Sequence, residues 1–454
     1  MYSYTLPNGL PGGSRTVWSN LPLRPLVTGP LTPFSYHLLA EIAGRAWYQY
    51  YDRLGFDPMP RARVLRQHQG RPYLNLTISA QRDAESAAIE PLTLHLDGQP
   101  FAICKWEKPG LIAGLKFGLA QNRVESLLKS LATEIDTITQ QAKAWYAKVG
   151  ELRWTQAEVL QIMEEIENVG APSFLVFLAA RHNLDLLYNR LIRLAAGSTD
   201  LVAALALIDQ ALGDEGEEIE WTIQGRLVQL SQAAGADGAV RDWLLAGKYG
   251  DWQDVLAHRA LLGDLHTFLA QFGHRTLQEG EVCHPRWADD PTALFAILAK
   301  LVSGQVALAA RRAATPQPLL DASEPNRRKE AQQLVQKVAL LRRLQSQALH
   351  AFAYILAGAR RWALAAARDA MADQRLLAVD DVFFFEPEEM KEMMTGEWNV
   401  SSQSEIQATA RRRESEYKRW QKAEAAELLI GESEGLSRQL EIPPALIGGL
   451  PSLL

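Results

Sequence analysis

From about residue 115 onward, apolar positions recur at helical spacing and few glycines or prolines interrupt them. Thr155 and Glu158 form a capping-box pattern, each side chain able to satisfy the other's backbone amide, ahead of a stripe at Val159, Leu160, Met163 and Ile166. Leu184, Leu187, Tyr188, Leu191 and Leu194 predict a second apolar face. A longer helix is predicted from Leu334 to Met371, on Leu334, Val338, Leu341, Leu344, Leu349, Phe352 and Leu356. Asp251 is placed to cap a helix carrying Val255, Leu256, Leu265, Phe268, Leu269 and Phe272, with Gly273 as its left-handed stop. Asp290 then reads as an N-cap with Pro291 at the first helical position, followed by the stripe Leu294, Phe295 and Leu298.

The first part of the chain differs in texture. Residues 1 to about 35 are rich in Pro and Gly, which predicts an extended arm lying on something larger. Tyr73 to Ile78 alternates as a strand would. Leu92, Leu94 and Leu96, then Asp97-Gly98, then Phe101 to Ile103 predict a hairpin, because Asp-Gly readily takes the turn that a tight hairpin needs. The expected fold is therefore mainly α: a large helical body over residues 116–441, a small α+β part with a few short strands over 1–115, and a linker-like tail at 442–454. No period of 20 to 50 residues argues for a solenoid.

Composition narrows the class. A chain of 454 residues, 47% hydrophobic and 22% charged, is ordinary for a globular protein with a sizeable core. A net charge of -6 argues against a nucleic-acid surface, which needs a concentrated basic footprint. Cys104 and Cys283 are too few for a disulfide framework, so reduced thiols and a cytoplasmic location are expected. The start, MYSYTLPNGLPGG, has no basic end followed by an apolar core. Apolar runs such as APSFLVFLAA are too short for a membrane span.

The densest chemistry lies in Phe272 to Pro291, FGHRTLQEGEVCHPRWADDP, a long polar stretch between two helix boundaries. His274 and Arg275 follow a helix C-terminus, where cations are favoured. They either close that end or point into a cleft and bind a phosphate or an acceptor hydroxyl. Glu279 and Glu281 either orient that arginine, serve as a general base, or form a solvated surface pair. Arg286 belongs to the same candidate substrate-binding set, and Trp287 reads as packing. Elsewhere, DEGEEIE from Asp214 lacks the spacing of a calcium loop and reads as an exposed acidic turn. His182 and Asp185 share a helix face without a third zinc ligand. RRRESEYKRWQKAEAAE from Arg411 reads as a solvated helix with intrahelical pairs, and a docking surface is the competing reading. There is no glycine-rich phosphate loop, Cys-x-x-Cys pair or Gly-x-Ser-x-Gly elbow.

FGHR, Glu279, Glu281 and PRWADDP, together with WSNLPLRPLVTGPLTPFSY from Trp18, GRPYLNLT from Gly70, FAYILAGARRW, and LLAVDDVFFFEPEEM up to Met390, stand in an order that resembles the phosphoenolpyruvate-utilising phosphotransferases. That group includes phosphoenolpyruvate synthase-like and rifampicin phosphotransferase-like proteins. Thr276-Leu277-Gln278 departs from the family's Gly-Pro-Gly. Complete members resemble three modules: an ATP-grasp nucleotide module, a central acceptor-binding region and a mobile phosphohistidine domain. This chain resembles the central region. None of its nine histidines stands in the glycine-, serine- and threonine-rich setting of the phosphohistidine.

The resemblance implies an acceptor-binding component of a split phosphotransferase, inactive alone. A small-molecule acceptor would bind here, while ATP and Mg are expected on a partner chain. ATP-grasp and phosphohistidine-domain polypeptides are the implied partners, with neither nucleic acid nor membrane, and no cofactor is expected on this chain. A non-catalytic protein sequestering an apolar small molecule such as an antibiotic is the competing expectation.

Overall fold

A computed structural model describes residues 16–56, 63–85, 93–96, 99–104, 111–196, 200–214, 218–306, 311–395, 403–431 and 434–436. The fold is mainly α. An extended arm carries strand β1 (Val17–Ser19) and a 3-10 turn at Leu21–Leu23, then leads into helix α1 (Pro33–Leu54). Strands β2 (Leu65–His68) and β3 (Arg71–Asn75) precede α2 (Leu76–Glu85), and β4 (Thr93–Leu96) pairs with β5 (Gln99–Ala102) before the long helices α3 (Leu111–Glu151) and α4 (Gln156–Ala196). Shorter helices follow: α5 (Leu201–Leu212), α6 (Ile219–Ala236), α7 (Gly238–Ala246), α8 (Trp252–Leu256), α9 (Ala260–Phe272), α10 (Thr292–Val302) and α11 (Gln317–Ala322). The 45-residue α12 (Arg328–Ala372) is followed by a 3-10 turn at Val379–Phe384, α13 (Pro387–Thr395), α14 (Gln403–Gln421), β6 (Leu428–Ile430) and β7 (Glu434–Leu436).

Among the described residues, two large apolar cores and a small third cluster of Trp18, Tyr73 and Leu429 divide this material. In the larger, α12 lies against α3 and α4, and α1 packs on α4. Gly358 lets α12 approach α3 closely, since a Cβ there would meet the Trp145 ring. The smaller core belongs to α6–α10 and centres on Ile223, Leu227, Phe268, Trp287, Leu294 and Phe295. The arm lies on the larger core through Leu21, Leu23, Leu26, Val27 and Leu31. Its β1 is the middle strand of a sheet ordered β2-β3-β1-β6-β7, with Trp18 opposite both Asn75 and Leu429. Both ends of the described chain thus meet in one sheet.

The hairpin forms with Leu94 opposite Phe101; its Asp97-Gly98 turn lies outside the described residues. The capping box also forms, with Thr155 N donating to Glu158 at 2.7 Å and Glu158 N to the Thr155 hydroxyl at 3.4 Å. Trp287 is buried against Phe268. Around Arg411 the helix ends at Gln421 and shows the Glu414–Lys418 pair, while Arg413 ties it to Glu389 of α13.

Other expectations need correction. The strand from Tyr73 stops at Asn75, whose side-chain oxygen accepts from the amides of Thr77 (3.1 Å) and Ile78 (3.2 Å) and so starts a helix. The helix expected from Asp251 is two helices, broken at Ala257–Arg259 where His258 has φ +64°. Gly273 is right-handed (φ -63°); it is glycine because a Cβ would strike the Leu269 carbonyl and sit 2.8 Å from Ala288 Cβ. Helix α10 begins one residue late, at Thr292, whose amide donates to Asp290 at 2.9 Å. Of the acidic run, Asp214, Glu218 and Glu220 are buried rather than exposed, because Arg312, Arg342 and Arg275 answer them, and residues 215–217 lie outside the described residues. Residues 1–15 and the tail at 442–454 lie outside the described residues. Among those described, no helix is long and apolar enough to cross a membrane.

Candidate functional site

The segment between α9 and α10 folds back across the end of α9. Arg275 N donates to Phe272 O at 2.9 Å, Trp287 N to Arg275 O at 3.0 Å, and Ala288 N to Gly273 O at 2.8 Å. Gly280 N reaches Leu26 O of the arm at 2.9 Å. This geometry carries the Arg275 side chain inward to 0% exposure. Its Nε donates to Glu279, its Nη2 to Glu220 at 3.3 Å, and its Nη1 stands 3.2 Å from His350 Nδ1. The Ser346 hydroxyl of α12 donates to Glu220. One guanidinium therefore links the loop, α6 and α12.

The other four loop candidates are also buried. Glu281 caps α1: its carboxylate accepts from Thr32 N (2.6 Å), the Thr32 hydroxyl (2.9 Å) and the Ser35 hydroxyl (2.5 Å), and from Cys283 N (3.0 Å). Arg286 donates two 3.2 Å hydrogen bonds to Glu279 O. Burial pulls Arg286 down to about 10 despite Glu279 beside it. Glu279 is raised by burial against the opposing pull of Arg275. His274 stacks on Tyr354 with ring centroids 3.5 Å apart and lies 4.7 Å from His350. Burial first, then the neighbouring His350, Arg275, Arg286 and Lys143, hold His274 well below the usual histidine value. His350 is held at about 3 by burial, Arg275 and Lys143.

Thus His274, Arg275, Glu279 and Arg286 come together in one interior network, while Glu281 sits apart at the start of α1. As placed, ligand contact through any of them requires the loop to open. The partners that sequence reasoning missed are Glu220, Ser346, His350 and Arg360, the last donating to Val282 O and Cys283 O at 3.0 and 2.6 Å. Their signal was present in part: polar residues punctuate the apolar face of α12, where water would otherwise be excluded.

A second interior cluster has a different setting. Tyr50 of α1 lies 2.8 Å from His182 Nδ1 of α4, and His182 Nε2 lies 2.9 Å from Asp83 of α2. Asn183 donates to the Tyr50 oxygen at 3.1 Å, and Tyr51 donates to Asp83 at 3.4 Å. Next along α4, Arg181 and Asp185 pair at 3.0 Å. Burial opposes the His182 cation, but Asp83 outweighs it and the imidazole is raised above its usual value. The chain borders a void of about 40 Å³ walled by Trp47, Tyr51, Leu74, Phe174, Phe177 and Leu178. The sequence pattern marked His182 and Asp185 as neighbours; the actual partner, Asp83, is 99 residues away. Among the described residues no group of three or more His, Cys, Asp or Glu side chains is arranged to hold a metal ion.

Residues 173–369, less than half of the chain, match the family model of the rifampicin phosphotransferase fourth domain. The matched span runs from within α4 almost to the end of α12 and includes His182, the polar loop and the smaller core. No curated protein matches the chain.

Proposed function

We propose that this chain is the acceptor-binding component of a phosphoenolpyruvate-utilising phosphotransferase system, and that the reacting end of the acceptor meets the Tyr50–His182–Asp83 chain. The observation that carries the reading is an imidazole held between a buried carboxylate and a phenol at the edge of an aromatic-walled void, within the matched family span at His182. Deep apolar walls with a few convergent polar groups are what small-molecule sites are made of. A void of about 40 Å³ admits a hydroxyl-sized end rather than a whole ligand, so the body of the acceptor would lie outside it.

In this reading the acceptor hydroxyl donates to the Tyr50 oxygen. As the hydroxyl oxygen bonds to phosphorus, the phosphohistidine P–N bond breaks and the freed imidazole nitrogen keeps its electron pair, while the hydroxyl proton passes to Tyr50 and the phenol proton passes to His182 Nδ1. Asp83 stabilises the imidazolium so formed. The phosphoryl group would come from a phosphohistidine on another polypeptide, in line with the attacking oxygen, and ATP and Mg would serve only to charge that histidine on the partner chains. Residues 272–291 serve by fixing α9, α12 and the arm.

Incubated alone with ATP labelled at the β- or γ-phosphate, the chain should neither hydrolyse it nor take up label. Label should reach an acceptor when an ATP-grasp chain and a phosphohistidine chain are added. Stoichiometric phosphorylation of a histidine in this chain would overturn the proposal. A sequestering protein would use the aromatic walls and not the buried His182–Asp83 pair. Ligand binding with no transfer, unchanged in His182→Gln, is the outcome that favours that reading.

A further inference from the structure

We propose that the cavity between α1, α4, α12 and the start of α13 binds an organic cation with an apolar body, of the alkyl- or arylammonium class. The inference rests on this cavity alone and is independent of the phosphotransfer reading. Its volume, about 320 Å³, falls in the range of small-molecule sites. The floor is apolar: Phe34 stacks on Trp362 with centroids 5.7 Å apart, and Leu38, Met163 and Ile166 complete it.

The rim is acidic, with Glu41, Glu167, Glu386 and Glu388 from three different helices or their approaches. Arg45 and Lys391 answer these four carboxylates, and Arg413, already paired with Glu389, also acts on Glu386. Arg45 pairs with Glu167 and lies 3.6 Å from Glu41, and Lys391 lies 3.1 Å from Glu388. His37 Nδ1 stands 3.1 Å from Glu386, yet burial lowers this histidine more than Glu386 and Glu389 raise it, so it adds little positive charge at neutral pH. Burial raises Glu167, and Glu41 and Glu388 oppose its ionisation further despite Arg45. A cation entering the rim relieves that crowding, whereas a phosphate or carboxylate would add to it. A negative rim over an apolar floor favours an ammonium head over a neutral one of the same shape. The carboxylates by themselves would bind only diffuse counterions; the void and its floor give the ligand its shape.

The test is titration of the full chain with 2-phenylethylammonium, 2-phenylethanol and phenylacetate, read by calorimetry and tryptophan fluorescence. The ammonium ion should bind at least tenfold tighter than the alcohol, and phenylacetate weakest. Glu167→Gln with Glu386→Gln should reduce ammonium affinity about tenfold and leave the alcohol unchanged. Should that double variant fold poorly, the exposed Glu388→Gln should give a smaller loss of the same sign. Met163→Trp, which fills the void, should weaken both ligands. Equal affinity for ammonium and alcohol, an ammonium affinity indifferent to the glutamine variants, or no binding of any probe at millimolar concentration would overturn the proposal.

Discussion

The charges that shift His274 and His350 are those of Arg275 and Lys143, with Arg286 acting on His274 as well, whereas His182 meets the Asp83 carboxylate at 2.9 Å. Both settings are interior, and burial disfavours the imidazolium in each. The difference in neighbours decides the sign: His274 and His350 are pushed down, and His182 is pushed up. The first cluster fills the space between α6, α9 and α12 with a fixed ion network. The second borders a void. On the proposed function, buried charge alone does not mark the reactive site, and room beside a proton-accepting group does.

The largest expected effect would come from Arg275→Ala. It leaves Glu279 and Glu220 buried without their cation, and losing one partner of a buried pair commonly costs about 3–5 kcal/mol. Arg275→Lys keeps the charge but not the three-way reach, and should lose less. Denaturant midpoints check both. A midpoint unchanged in Arg275→Ala, with phosphotransfer down roughly a hundredfold, would turn the loop into a ligand site.

The pH dependence sharpens the contrast. His350 has a folded value of about 3, below its unfolded value. Its contribution is present above the unfolded value and is lost as pH falls toward 3, with a slope of up to about 1.4 kcal/mol per pH unit. His274 acts in the same direction. His182 acts oppositely: its folded value is raised, so its contribution is full below the unfolded value and fades as pH rises through the folded one. Thermal midpoints between pH 5 and 8 should show a shallower acid loss in His350→Gln and a steeper one in His182→Gln. Parallel curves for the two variants would remove the distinction.

Smaller effects test the frame around each cluster. Gly273→Ala forces a methyl against the Leu269 carbonyl and should cost about 1–3 kcal/mol in thermal or denaturant unfolding. Asn75→Ala removes the cap that turns β3 into α2, the helix that carries Asp83, and should cost about 1 kcal/mol. A more stable protein in either case would contradict the local geometry.

Much of the scaffold is legible along the chain. The stripes of α4 and α12, the Thr155 capping box and the hairpin pairing Leu94 with Phe101 are local patterns, set by residues three or four apart or by one turn. The helix break at His258 has no mark in the apolar pattern, and the right-handed Gly273 was not legible because Ala288, from beyond the helix, packs where a Cβ would stand. The polar loop announces its importance by composition. Its role depends on Glu220 and His350, which are 55 and 75 residues from Arg275. The Tyr50–His182–Asp83 chain was hidden for the same reason: three helices supply one residue each, and no spacing rule connects them.

The most direct test is phosphotransfer turnover, with an ATP-grasp chain and a phosphohistidine chain supplied, for Tyr50→Phe and His182→Gln beside Arg275→Lys, each normalised to folded protein. Removing a positioned acid–base group commonly costs roughly a hundredfold or more in rate. Tyr50→Phe and His182→Gln should lose turnover on that scale while remaining folded, and Arg275→Lys should lose stability but keep its turnover per folded molecule. Intact turnover in Tyr50→Phe and His182→Gln, with turnover lost in a stable Arg275→Lys, would contradict the assignment and place the chemistry at the loop.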